Sequence, residues 1–132
     1  AVFVDNQVDQ GVAALKSEQY AIAIERLEPM ARLGSSTAQR LMGEMYTRGW
    51  GTPRNRAVAE QWFVRACAPP MAWSSDCAEL FYHVGEPMVD GPSDSPDFAE
   101  GVAWLRKSAD AGSPRAAALL LRINQARHQP IP

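Results

Sequence analysis

The chain has 132 residues, 46% of them hydrophobic and 21% charged, with a formal net charge of -2. That length supports one domain with its own core, and the charge total lacks the net basic surface that nucleic acid or an anionic membrane demands. The longest apolar runs, such as Ala116 to Leu121, fall far short of the ~20 residues that span a bilayer, so no membrane insertion is expected.

In chain order, a first helix is expected over Asp5 to Ser17. A second carries Tyr20, Ala23, Leu27, Met30 and Ala31 on one face. The run Gly34-Ser35-Ser36-Thr37-Ala38 then combines a helix-ending glycine with capping hydroxyls, and a third helix follows over Ser36 to Arg48. The fourth places Ala59, Trp62, Phe63 and Ala66 at i, i+3, i+4, i+7 spacing. The fifth is expected over Ser75 to Gly85. The next segment, Glu86 to Pro96, contains Pro87, Pro92 and Pro96; it reads as an exposed loop, longer than its counterpart at Gly49 to Arg54. The sixth helix presents Gly101, Trp104, Leu105 and Ser108, and Gly112-Ser113-Pro114-Arg115-Ala116 opens a last helix to about Arg127.

No segment alternates with the period of two that a strand requires, and short turns favour antiparallel neighbours. The fold class is therefore all-α, a short α/α solenoid of about seven antiparallel helices. A repeat underlies it. Asn55, Ala59, Trp62, Phe63, Ala66 and Cys67 return 42 positions later as Asp97, Gly101, Trp104, Leu105, Ser108 and Ala109. Charge is unevenly spread. Between Arg65 and Arg106 there is no Lys or Arg, whereas Asp76, Glu79, Glu86, Asp90, Asp94, Asp97 and Glu100 all fall there. Either a solvated face or a surface for a basic partner fits that interval.

The set Ala38, Met42, Gly43, Tyr46, Gly49, Gly51, Pro53, Asn55, Ala59, Trp62, Phe63, Ala66 and Cys67 resembles the Sel-one-like repeat, a helix-turn-helix repeat of the tetratricopeptide type. The second copy keeps Asp97, Trp104, Leu105, Arg106, Lys107, Ala109 and Gly112. It has Leu80-Phe81 where Leu-Gly is expected and lacks the Gly-x-Gly turn. The resemblance covers about Tyr20 to Leu121. It implies one repeat domain over 1–132: a degenerate repeat at 5–34, a repeat at 36–74, a degenerate repeat at 75–112 with the acidic loop 86–96, a capping helix at 113–127 and a tail at 128–132. In physical terms, Gly43 lets two helices approach closely, Gly49 and Gly51 suit a tight turn, and Trp62 and Trp104 fill the core.

Cys67 closes one helix and Cys77 opens the next. Antiparallel helix ends at this spacing can bring the two Cα atoms within the roughly 4.4 to 6.8 Å of a disulfide; two buried free thiols are the alternative. A zinc site needs about four ligands and only His83 is near, and the Cys-x-x-Cys of a redox pair is missing. The placement resembles the exported, cysteine-containing bacterial branch of the repeat family, which links the end of one repeat to the start of the next. The resemblance thus implies a disulfide and an oxidising compartment, the periplasm or the exterior. No Met or leader stands at Ala1, as expected either of a processed mature form or of a trimmed sequence.

His83 and His128 belong to no metal motif, and no Gly-x-Ser-x-Gly elbow or phosphate loop occurs. No catalytic residue, metal or cofactor is expected. In α/α solenoids the first helix of each pair lines a binding groove. Here that assigns Arg40, Glu44 and Arg48, then Glu79 and His83, then Arg115 and Arg122 to partner binding, with the turn aromatics Trp50 and Trp73 as anchors. The expected function is a monomeric, non-enzymatic protein-binding module of the bacterial envelope, acting as a stoichiometric inhibitor or immunity protein against a secreted toxin or effector enzyme. An adaptor or structural subunit of a secretion or polysaccharide assembly is the alternative. An enzyme acting on cell-wall fragments or β-lactams through Glu44 and Glu79 is the third reading.

Overall fold

A computed structural model describes residues 2–67 and 75–128. Seven α-helices follow one another there: α1 (Val2–Lys16), α2 (Tyr20–Arg32), α3 (Ser36–Arg48), α4 (Arg56–Cys67), α5 (Ser75–Gly85), α6 (Pro96–Asp110) and α7 (Pro114–His128), with a 3-10 turn at Glu86–Val89. The described residues contain no strand. Helices α3 and α5 have the bounds that the sequence predicts, while α1 begins at Val2 rather than Asp5 and α7 runs to His128. The chain divides into two compact units, Ala1–Cys67 and Ala68–Pro132. Trp73, Pro69 and Pro70 lie outside the described residues.

The first unit is two helix pairs crossing at glycines. A Cβ on Gly11 of α1 would stand 2.5 Å from the Leu27 side chain of α2, and one on Gly43 of α3 would stand 2.6 Å from the Phe63 ring of α4. A bare Cα therefore sets the spacing, and the large residue opposite fills the vacated room. Leu27, Met42, Met45 and Phe63 are all buried. Gly34, with φ of 104°, turns α2 into α3. The Ser35 N–H donates to the Met30 carbonyl at 3.0 Å, and the Ser35 hydroxyl accepts from Ala38 N–H at 3.2 Å. One orphan group at the end of α2 and one at the start of α3 are thereby satisfied. Buried Gln39 donates to the Ala31 carbonyl at 3.0 Å and ties the same two helices together.

The second unit repeats these devices. Gly112, with φ of 109°, turns α6 into α7. The Ser113 N–H donates to the Ser108 carbonyl at 3.0 Å, and the Ser113 hydroxyl accepts from Ala116 N–H at 3.2 Å. Buried Ser108 reaches from α6 to α5, donating to the Ala78 carbonyl at 2.6 Å. Trp104 is fully buried beside Phe81, their ring centroids 5.7 Å apart. Ser95 caps α6 by accepting from Phe98 N–H at 3.1 Å, and Pro96 occupies its first turn.

Two expectations need correction here. The segment 86–96 is not an exposed loop throughout: Glu86–Val89 forms a 3-10 turn, and Met88 and Val89 are half-buried. Both pack on Gly101 of α6, where a Cβ would stand 2.7 Å from Met88 and 2.8 Å from Val89. Pro87 has no N–H for a further α-helical turn and crowds the carbonyl four residues back, so the helix tightens instead of continuing. Nor do Leu80-Phe81 hold the Leu-Gly place of the second repeat. Val84-Gly85 does: a Cβ on Gly85 would stand 2.8 Å from the Gly101 carbonyl oxygen and 2.9 Å from Trp104 Cβ. Gly85 lies 42 positions beyond Gly43, so one register governs both helices of the pair, and in that register 86–96 corresponds to 44–54.

The two cysteines, Cys67 and Cys77, are joined in a disulfide and neither is free. By the chain-entropy estimate a loop so short contributes about 2 to 3 kcal/mol. Reduction, or Cys67→Ser with Cys77→Ser, is accordingly expected to lower the unfolding free energy by about that amount, read as a fall in the urea midpoint. Among the glycines, Gly85→Ala meets backbone atoms that cannot yield, and we expect a loss of about 1 to 3 kcal/mol in urea unfolding. Gly91 has an ordinary φ and nothing within 4 Å of an added Cβ. There Gly91→Ala is expected to leave stability unchanged or raise it by about 0.4 to 1 kcal/mol.

Candidate partner-binding surface

The residues that the sequence assigns to a groove fall into two groups, one in each unit. In the first, Arg40 and Glu44 stand one turn apart on α3, a spacing that places them side by side on the helix surface. Arg40 Nη1 donates to Glu44 Oε1 at 3.1 Å. Arg48, in the last turn of the same helix, lays its guanidinium over the Trp50 ring, 5.5 Å from the centroid. Trp50 also stacks on Tyr20 of α2 with centroids 5.6 Å apart and planes within 3°. Gly49 and Gly51, with φ of 75° and 77°, fold the turn back to allow this. A Cβ on Gly51 would stand 2.9 Å from Tyr20 Cβ. Trp50 is consequently half-buried at the edge of the helix pair.

In the second unit the group is tighter. Glu79 on α5 accepts from Arg115 on α7 through Oε2, and His83 Nε2 lies 3.7 Å from the same oxygen. The Arg115 guanidinium also covers the Tyr82 ring at 4.4 Å, and Tyr82 meets the His83 ring edge to face at 5.9 Å. Four side chains from two successive first-type helices thus form one polar and aromatic surface patch, with Tyr82 half-buried and the other three exposed. Arg122 is exposed on α7, seven residues or ~10 Å further along the helix.

Tyr82 is the member that sequence reasoning missed. A signal existed, since Tyr82 stands 42 positions after Arg40 and occupies the same place on the next first-type helix. Chemically the patch offers a carboxylate, a guanidinium, an imidazole and a phenol side by side. That combination suits hydrogen bonding and ring stacking with a protein surface. Both carboxylates weighed for catalysis, Glu44 and Glu79, are paired with arginines at the surface. Among the described residues no cluster of His, Cys, Asp and Glu has the makings of a metal site. No described helix is long and apolar enough to cross a membrane.

The Sel1 repeat family model matches the chain at residues 36–68 and 78–113. The two matches start 42 positions apart, the spacing that carries Gly43 onto Gly85. Among solved structures, the chain is similar to a Sel1 repeat protein from Oxalobacter formigenes, with 25% identity and a TM-score of 0.50 over 86% of this chain and 44% of that one. It therefore spans less than half of that relative's length. No curated protein matches it.

The Glu79 and Arg115 side chains are 51% and 55% exposed, and ion pairs in such solvent contribute about 0 to 1 kcal/mol. Glu79→Ala and Arg115→Ala are each expected to change unfolding stability by less than about 1 kcal/mol, as read in a urea titration. A larger loss from either would make the pair a structural brace rather than a binding surface.

Proposed function

Because the chain belongs to the Sel1 repeat family, whose repeats mediate protein–protein interactions, we propose that it is a non-catalytic binding module of the bacterial envelope that occupies one secreted toxin or effector enzyme as its inhibitor or immunity protein. The observation that carries this reading is the patch of Glu79, Tyr82, His83 and Arg115. It is built from two helices, with Glu79, His83 and Arg115 exposed and Tyr82 half-buried under the guanidinium, the mixture of charge and aromatic surface that suits a partner. The disulfide supports an oxidising compartment, the periplasm or the exterior. An adaptor within a secretion or polysaccharide assembly is the second reading. Exposed Leu121 favours it, since an adaptor needs more than one contact face.

A photo-crosslinking side chain in place of Tyr82, introduced in the producing bacterium, is expected to attach to one envelope or secreted protein. That protein should form a 1:1 complex with the purified chain and lose its enzymatic activity on binding. Tyr82→Ala with Glu79→Ala should weaken the complex at least tenfold while leaving the melting temperature within about 3 °C, because neither side chain supports the core. A complex in which the partner stays fully active would decide for the adaptor. Absence of any crosslink would sink both readings.

A further inference from the structure

Helix α7 begins as a first-type helix. Gly112, the Ser113 cap and Ala116 repeat Gly34, Ser35 and Ala38 bond for bond at a spacing of 78 positions. Continued along the helix, that register brings Leu121 to the place of Gly43. At the corresponding crossings of α1, α3 and α5 a glycine stands against the second helix, with nearest approaches of 2.5, 2.6 and 2.8 Å to an added Cβ. Leu121 is instead 58% exposed. Ala117, Asn124 and Gln125, on the same side of the helix, are exposed too, whereas α3 buries Gln39, Gly43 and Thr47 at the positions of Ala117, Leu121 and Gln125. A helix packed at the glycine spacing would collide with the leucine. The face suits a helix held further off, with small residues of its own opposite Leu121.

Charge identifies the occupant. Each of the other six helices carries at least one carboxylate, for example Asp5, Glu25, Glu44, Glu60, Glu79 and Asp97, whereas the α7 sequence PRAAALLLRINQARH has arginines and no acid. Arg115 is already engaged with Glu79, and exposed Arg122 adjoins Leu121. A second copy docking through its own α7 would bring arginine against arginine. We propose that the outer face of α7 is a second docking surface, separate from the Tyr82 patch, and that it receives an acidic amphipathic helix of another protein, seated on Leu121 and paired with Arg122.

The test places a photo-crosslinking side chain at Leu121 in the full chain in the producing cell and identifies the attached segment by mass spectrometry. The expected product is a segment of another protein with apolar residues at helical spacing and an excess of Asp and Glu. A synthetic peptide of that segment should bind the purified chain at least tenfold more weakly after Arg122→Glu and after Leu121→Glu. Arg122→Lys should preserve the binding, and added salt should weaken it. Both glutamate variants alter exposed positions, and an unchanged helical circular dichroism spectrum would verify their fold. A crosslink to a second copy, to another part of this chain or to a segment without excess acid would overturn the proposal. So would indifference to Arg122→Glu, or no crosslink from Leu121 while Tyr82 yields one; in that last case the Tyr82 reading stands and this one fails.

Discussion

Close approach of paired helices at a glycine is the contact on which the rest of this structure depends. Gly11, Gly43 and Gly85 each leave open the space that a Cβ would fill, and Leu27, Phe63 and, at Gly85, the Gly101 carbonyl with Trp104 Cβ move into it. Short interaxial distances let small residues such as Ala23, Ala31, Ala38 and Ala59 complete the core without voids. At the crossing of α5 and α6 they also bring a polar group within reach, so that buried Ser108 finds the Ala78 carbonyl. Widening that crossing by one methyl group would strand the Ser108 donor, and burying a polar group without a partner is among the costlier faults a core can have.

This economy separates the molecule into two kinds of residue. Inside, glycine, alanine and a few large apolar side chains are fixed by space. Outside, the arginines and glutamates of α3, α5 and α7 are arranged in exposed pairs that contribute little to folding, which leaves them free to vary with whatever the protein holds. The comparison with the Sel1 repeat protein from Oxalobacter formigenes, at 25% identity, fits that division. Spacing and turn chemistry carry the fold.

Most of the fold was legible because its determinants are local. Helix ends at Gly34 and Gly112, caps at Ser35 and Ser113, and helical periodicity at Trp62 and Trp104 depend on neighbours within a few residues. The errors came where one local signal hid a longer one. Three prolines between Pro87 and Pro96 read as a loop, although the register from Gly43 to Gly85 places Met88 at the position of Tyr46, over the next helix. The candidate site was less legible. Arg40, Glu44 and Arg48 lie together on α3 as their spacing requires. The junction of Glu79, Tyr82 and Arg115, by contrast, depends on how α5 and α7 flank α6, a tertiary relation that no one-dimensional pattern states. Trp50 was identified as a turn aromatic, but its stacking on Tyr20 follows from the left-handed backbone at Gly49 and Gly51.

The matched turns at Gly34–Ala38 and Gly112–Ala116 bear on how such a protein changes length. Each is a self-sufficient joint, with its left-handed glycine, its serine cap and its backbone bonds all supplied within a few residues of the break. Chain entering one joint leaves in the same local geometry as chain entering the other. A segment bounded by two such joints is a genetic cassette: it can be duplicated or excised in frame, and the sequence on either side still meets the ending and the beginning for which it was selected. The stretch between these two joints, α3 through α6, is therefore a natural unit by which the array lengthens or shortens.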